Sequence, residues 1–333
     1  MIAGLLFNRL EKQVKPEVAF DPKRCLRTRL SGNACERCVA LCPKKALTLS
    51  GGRIVFEEEK CTECMACVSG CPNDAFVHGF DLLSILPALA GGENAEPMVF
   101  ACRKSSHVGN RITVPCIGLL SEPVLAVMHC LARHELYLDL HRCADCENGE
   151  LVELFHKRMQ GLLGANGTSA ALRIRVLIDR NHSGAASGNE RRFFLGKATN
   201  TLMELGREVS SAFVPSAASE TGRETSGKNV SLTNRLLQET LRRLPPPAVQ
   251  EKKLLFAYHH TLTANGNCDR CPACTGMCPA GALKRTKAQE INQLHFTSAH
   301  CSGCGLCVKF CKKGALALLP GVRTDPEVAV AIA

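Results

Sequence analysis

The sequence predicts a mixed α+β and α/β architecture. Two small cysteine-built modules flank a small parallel α/β domain, and a partly disordered linker joins the last two parts. Three observations predict it. The 21 cysteines of this 333-residue chain fall into three islands, Cys25 to Cys71, Cys102 to Cys146 and Cys268 to Cys311. The outer islands repeat one spacing, Cys-x2-Cys-x2-Cys-x3-Cys, whereas the middle one alternates short apolar runs with helical ones, as parallel sheets with crossover helices do. Between the second and third islands, residues 181–190 and 214–229 are rich in Ser, Gly, Ala and Thr and cannot build a core. The expected divisions are 1–90, 95–180, 181–250 and 251–325.

The first module contains one complete run, CTECMACVSGCP (61–72). Its partner reads CLRTRLSGNACERCVALCP, in which nine residues rather than two separate Cys25 from Cys35, while Cys35, Cys38, Cys42 and Pro43 keep the rest of the spacing. A hairpin (ALTL, SGG, RIVFEEE) joins the halves. The inserted loop carries Arg27 and Arg29 and can close back, because an extended segment precedes Cys25. The alternative leaves Cys25 a bystander. The last module has two clean runs, CDRCPACTGMCP (268–279) and CSGCGLCVKFCK (301–312), each echoed by a Gly-Ala-Leu that follows it. This is an internal repeat with pseudo-twofold symmetry. Short spacers let three thiolates curl around one face of an iron–sulfur cubane, and the longer spacer carries the fourth to a neighbouring cluster. Zinc sites instead pair two Cys-x2-Cys units over a longer gap.

On these residues both outer islands resemble bacterial-type 2[4Fe–4S] ferredoxin modules. The resemblance implies four [4Fe–4S] clusters and four ligand sets. In the first module these are Cys25, Cys35, Cys38 and Cys71, then Cys42, Cys61, Cys64 and Cys67. In the last they are Cys268, Cys271, Cys274 and Cys311, then Cys278, Cys301, Cys304 and Cys307. Lys312, in place of a proline after the last cysteine, is a small departure that leaves the ligand intact.

In the middle region the expected strands are PMVFAC, RITVPCIG, LYLDLH and LRIRVLID, with helices over SEPVLAVMHCLARH and NGELVELFHKRMQGLLG capped by Ser121 and Asn148. Cys102, Cys116 and Cys143 close the first three strands, and Cys146 precedes the following helix. All four therefore fall at carboxyl ends of strands, the edge where such sheets build their sites. Cys130 lies inside a helix among Val127, Met128 and Leu131 and reads as a buried core thiol. The pattern CRKSS, PCIG and Cys-x2-Cys before Asn-Gly resembles the delta subunit of methyl-viologen-reducing hydrogenases, with Ser105 where that family has a second early cysteine. The resemblance implies a fifth iron–sulfur cluster on Cys102, Cys116, Cys143 and Cys146, [2Fe–2S] in that family, with [4Fe–4S] as the alternative. It also implies partners among hydrogenase-, heterodisulfide-reductase- or dehydrogenase-like subunits. A redox dithiol of Cys143 and Cys146, beside His141 and Arg142 at a helix start, is the competing reading. It leaves Cys102 and Cys116 without a task.

The linker contains two helical patterns, residues 190–213 and SLTNRLLQETLRRL (231–244), the second halted by Pro245–Pro247, and is expected to act as a tether or wrapping arm. Several motifs carry nothing. GRETSGKN (222–229) is a near match to a phosphate-binding loop, but Asn229 replaces the hydroxyl and no strand precedes it. The internal NERRFFLGK (189–197) is a helix start rather than an export signal. His259, His260, His295 and His300 are expected at the surface or in loops.

No apolar stretch reaches the length of a membrane span, and MIAGLLF is too short for a signal sequence, so a cytoplasmic, reducing setting is expected. The formal net charge of +10 invites a nucleic-acid partner. Each cluster with its four thiolates contributes roughly −2, however, so five would cancel about ten positive charges, and no nucleic acid is expected. The leading functional expectation is an electron-transfer subunit relaying single electrons between a donor and a catalytic oxidoreductase, without catalysis of its own. Its competitors are a reductase with an open-site central cluster and a redox-sensing or cluster-carrier scaffold.

Overall fold

The computed structural model describes residues 18–91, 97–105, 111–166, 172–178, 228–288 and 291–333. The expected helix over 190–213, the low-complexity stretches and most of the near-match phosphate loop lie outside them.

The N-terminal module opens with strand β1 (Val18–Phe20) and a short helix α1 (Leu26–Arg29), followed by α2 (Arg37–Leu41). A hairpin of β2 (Leu47–Ser50) and β3 (Arg53–Phe56) leads into α3 (Ala66–Gly70), β4 (Phe76–His78) and α4 (Leu86–Leu89). The pairing is pseudo-twofold: β1 runs antiparallel to β4, β2 to β3, and α2 packs on α3. Both helices are only five residues long. Isolated helices of that length are unstable in water, so packing rather than propensity holds them. Phe20, Phe56 and Phe76 belong to the same core, with ring centroids 5.1 Å (Phe20 to Phe76) and 6.4 Å (Phe56 to Phe76) apart.

The central sheet consists of β5 (Met98–Cys102), β6 (Arg111–Val114), β7 (Leu136–Asp139) and β8 (Ile174–Leu177) in the order β6-β5-β7-β8. Strand β5 is parallel to both β6 and β7. Crossovers run through α5 (Glu122–Leu131) and α6 (Leu151–Asn166). Every residue of α5 from Val124 to Leu131 is buried, which requires cover on all sides. That cover comes from a segment expected to be a linker. Helix α7 (Leu232–Arg243), capped by Ser231, packs on α5, and α8 (Val249–Phe256) follows it there. Burying Leu236 and Leu237 of α7 contributes about 3–6 kcal/mol, so from Ser231 onward the chain is structural rather than a tether.

The C-terminal module repeats the first. Strand β9 (His260–Ala264) and α9 (Ala273–Met277) precede a hairpin of β10 (Leu283–Ala288) and β11 (Ile291–Thr297). Helix α10 (Leu306–Phe310), β12 (Leu316–Pro320) and β13 (Ala329–Ala331) complete it. β9 pairs with β12, and β13 adds a third strand to the hairpin. The N-terminal module, the sheet domain and α7–α8 share one hydrophobic core, whereas the C-terminal module has a smaller one of its own around Leu262, Leu294 and Phe296. Among the described residues no helix is long and apolar enough to cross a membrane.

Candidate iron–sulfur sites

Each short helix of a ferredoxin-like module begins within a cysteine run and ends on its fourth cysteine, so local chain geometry gathers the thiols. In the N-terminal module the Cys38 thiol is pushed up to about 12 by burial, then by its neighbours Cys71, Cys35 and Cys25. Burial also raises Cys67, with Cys64, Cys61 and Cys42 adding to it, and Cys38 contributing from the other set. The structure thus brings together Cys25, Cys35, Cys38 and Cys71, and beside them Cys42, Cys61, Cys64 and Cys67. The long loop after Cys25 folds back as its side chains allow. Arg27 donates to the Cys35 carbonyl and to Gly52 O at 3.4 Å, and the Asn33 carboxamide accepts the Cys35 amide at 2.9 Å. Replacing Cys25 with serine is therefore expected to disturb one cluster and spare the other three of the outer modules. Iron content and low-temperature electron paramagnetic resonance (EPR) check this, and unchanged spectra would make Cys25 a bystander.

The C-terminal module groups its thiols in the same way. Burial raises Cys274 to about 11, with Cys271 and Cys268 next to it. Burial raises Cys307 to about 12, with contributions from Cys304 and Cys278 and a smaller one from Cys274 of the adjacent set. Cys301 belongs with Cys304, Cys278 and Cys307. Cys311 stands where Cys71 stands in the first module, at the end of the second short helix.

One turn recurs four times. The third residue after each fourth cysteine is left-handed: Lys45, Asp74, Gly281 and Gly314, with φ of 52°, 48°, 68° and 57°. In three of the four the following amide donates to the cysteine sulfur, Ala75 to Cys71 and Ala282 to Cys278 at 3.3 Å, and Ala315 to Cys311 at 3.4 Å. Such bonds stabilise thiolate over thiol and tune a cluster's potential. Glu63 and Met65 are also left-handed, at 53° and 62°, a strain of about 1–3 kcal/mol per residue that the surrounding structure must offset.

In the sheet domain Cys102 ends β5, Cys116 follows β6, and Cys143 and Cys146 follow β7. The chain leaves β5 to one side for β6 and crosses back for β7, so the site lies at the point where strand order reverses, where open α/β sheets bind ligands. Burial raises Cys143 to about 12, with Cys102, Cys116 and Cys146 as the nearest charges. All four thiols are therefore near enough to feel one another's charge. A Lys104–Glu147 ion pair at 2.5 Å ties the Cys102 loop to the Cys146 loop, and Asp139 beneath them accepts from Ser105 and pairs with His141 at 2.5 Å. Cys116, raised to about 11 by burial, also feels Cys64 of the first module. Cys130 stays apart, buried in α5 beside the Glu251 carbonyl.

Clustered thiols that are buried and mutually repelling are costly as free thiolates. An iron–sulfur core of about +2 removes that cost, so the donor sets fit such groups. Among the described residues no three His, Cys, Asp or Glu side chains close on a single metal ion.

Several residues behave differently from expectation. Asn148 does not cap α6 with its side chain; its Oδ1 accepts from Thr62 Oγ1 at 2.6 Å and joins the sheet domain to the first module. Ser121 occupies the N-cap of α5 without a side-chain bond. His259 is fully buried rather than at the surface, and burial lowers it to about 4. No sequence signal marks the burial of His259, because Ser298 and Asp325, distant in the chain, lie about it.

Two segments match the 4Fe-4S dicluster domain family, residues 33–76 and 267–315. The first leaves Cys25 outside its bounds. A ferredoxin of Methanothermococcus thermolithotrophicus is 37% identical over 59 residues, covering 17% of this chain and 90% of that protein. The (2S)-3-sulfopropanediol sulfolyase activating enzyme of Bilophila wadsworthia is 43% identical over 48 residues, which is 14% of this chain and 15% of the enzyme. A ferredoxin-like protein of the nif region in Bradyrhizobium diazoefficiens is 38% identical over 47 residues, 64% of its length and 12% of this chain. No solved structure matches.

Proposed function

Because the chain belongs to the ferredoxin family, with a 4Fe-4S dicluster domain at each end, we propose that it relays single electrons between a donor and a catalytic oxidoreductase as one subunit of a larger redox assembly. We assign it a fifth carrier on Cys102, Cys116, Cys143 and Cys146, [2Fe–2S] in type. Hydrogenase-, heterodisulfide-reductase- or dehydrogenase-like subunits are the partners of this reading, in a cytoplasmic setting. The observation that carries it is the convergence of those four thiols at the switch point of the sheet, with Cys116 facing Cys64. When bound, the clusters supply one-electron acceptance at low potential. The chain's own contribution is to hold the thiolates, aim backbone amides at their sulfurs and bury them.

Burial of Cys143 speaks against the dithiol reading. A reactive pair needs a lowered pKa, and here burial and neighbouring thiols act in the opposite direction. Anaerobically purified protein is expected to hold about 18 irons per chain and to take up about five electrons in a reductive titration, one per cluster. About 20 irons would mean a fifth cubane. Iron near eight, or stoichiometric zinc, would end the reading.

A further inference from the structure

The two ferredoxin modules have separate cores, yet three contacts join one ligand set of each. The first turn of α7 carries two of them. The Leu232 amide donates to Asp74 Oδ2 at 2.7 Å, and Asp74 is the left-handed residue of the turn after Cys71. Two residues on, Asn234, which is 4% exposed, donates through Nδ2 to the carbonyls of Ala299 at 2.8 Å and Cys301 at 3.0 Å. Leu232 and Asn234 lie about 3 Å apart along the helix axis, so one turn of helix grips both ligand loops. The third contact is His260. Its ring lies so close over Gly303, between Cys301 and Cys304, that a Cβ at 303 would stand 2.3 Å from Nε2. The charge that acts on that ring from the first module is the Arg37 guanidinium, at the start of α2 between Cys35 and Cys38.

Resting on the electron-transfer reading, we infer that Asp74, Asn234 and His260 form a junction that sets the Cys25/35/38/71 site beside the Cys278/301/304/307 site, making the five thiol sets one unbranched line. The other neighbours along that line are given by α9 packed on α10, α2 packed on α3, and Gly118, two residues after Cys116, set against the Cys64 carbonyl and the Ala66 amide. Its order is the Cys268 set, the Cys301 set, the Cys25 set, the Cys61 set and the sheet-domain set. One end carries Cys271, an exposed thiol, and the other is the site at the sheet edge. A dicluster module alone transfers between its own two sites. The junction turns two modules into a through-conductor whose ends lie in different domains.

The test uses the full-length, iron-loaded chain and the spin relaxation of its fully reduced centres. The double variant Cys35→Ser/Cys38→Ser should lose about four irons. The EPR signal of the Cys301 set should then relax several-fold more slowly, because a paramagnetic neighbour has gone, with the Cys268 signal unchanged. The reciprocal variant Cys304→Ser/Cys307→Ser should slow the Cys25 set in the same way. Relaxation that is unchanged despite the expected iron loss would overturn the junction. If either variant loses more than its own cluster, Asn234→Ala, which removes no ligand, replaces it. Full iron content with a weakened interaction between the two sets supports the junction, and an unaltered interaction overturns it. A wild-type chain with no reducible signals would fail the electron-transfer reading itself, a different result from the other two.

Discussion

Alanine at Gly118 is expected to lower stability by about 2–4 kcal/mol and to weaken communication between the sheet-domain thiols and the Cys61 set. Gly118 follows Cys116 by two residues and lies against the first module. A Cβ there would stand 2.0 Å from the Cys64 carbonyl, 3.0 Å from Leu151 Cδ1 and 3.2 Å from the Ala66 amide. Two of those three neighbours are backbone in a ligand loop and cannot rotate away. The Gly118 carbonyl is also a hub, accepting from Ser69 Oγ at 2.7 Å and from Arg158 Nη1 at 3.0 Å. Arg158 is buried enough to be lowered to about 10, and it also donates to Leu120 O at 3.0 Å and to Ser69 Oγ at 2.8 Å. Moving Gly118 to make room for a methyl strains all of these bonds, and an unsatisfied buried guanidinium is costly. Thermal or denaturant unfolding of the iron-loaded protein measures the loss. Unchanged stability would mean that the two parts do not meet as described.

The second large effect separates a cluster from a dithiol at the sheet edge. A ligand set acts as a unit, so Cys102→Ser should damage the site as severely as Cys146→Ser. Each change is expected to cost the full iron of the site, about two atoms for a [2Fe–2S] centre, and to expose the three remaining thiols to alkylation. In the unaltered iron-loaded chain all four thiols should resist alkylation until a chelator removes the metal. A dithiol predicts a different pattern: Cys143 and Cys146 would label once reduced, and serine at Cys102 or Cys116 would change nothing. Labelling of Cys143 and Cys146 alone in iron-loaded protein would end the assignment of a fifth carrier.

How far the molecule could be read from its sequence depends on how local each feature is. The runs at 61–72, 268–279 and 301–312 were legible because ligand spacing is set by a few consecutive residues, and the family matches at 33–76 and 267–315 cover the same ground. The sheet strands were legible because apolar runs such as MVFAC and LYLD stand between polar turns. Cys25 could be grouped with Cys35 but not placed, since the loop between them closes through Arg27 and Asn33, whose partners have no fixed spacing. The junctions were not legible at all. Nothing in SLTNRLLQ says that its asparagine serves a carbonyl 67 residues away, or that His259 is sealed off. Asn148 has a side chain that suits a helix cap, but the Thr62 hydroxyl competes for it and wins.

The bond between Asp74 and the Leu232 amide spans 158 residues, and this has a consequence for the order in which the protein is made. A ribosome adds about 5–20 residues per second, so roughly 8–30 s pass between the emergence of Asp74 and that of its partner. Throughout that interval the carboxylate in the turn after Cys71 has no helix amide from which to accept. The hydrogen bond that completes this turn therefore forms only after the second cysteine island and the sheet domain have been made.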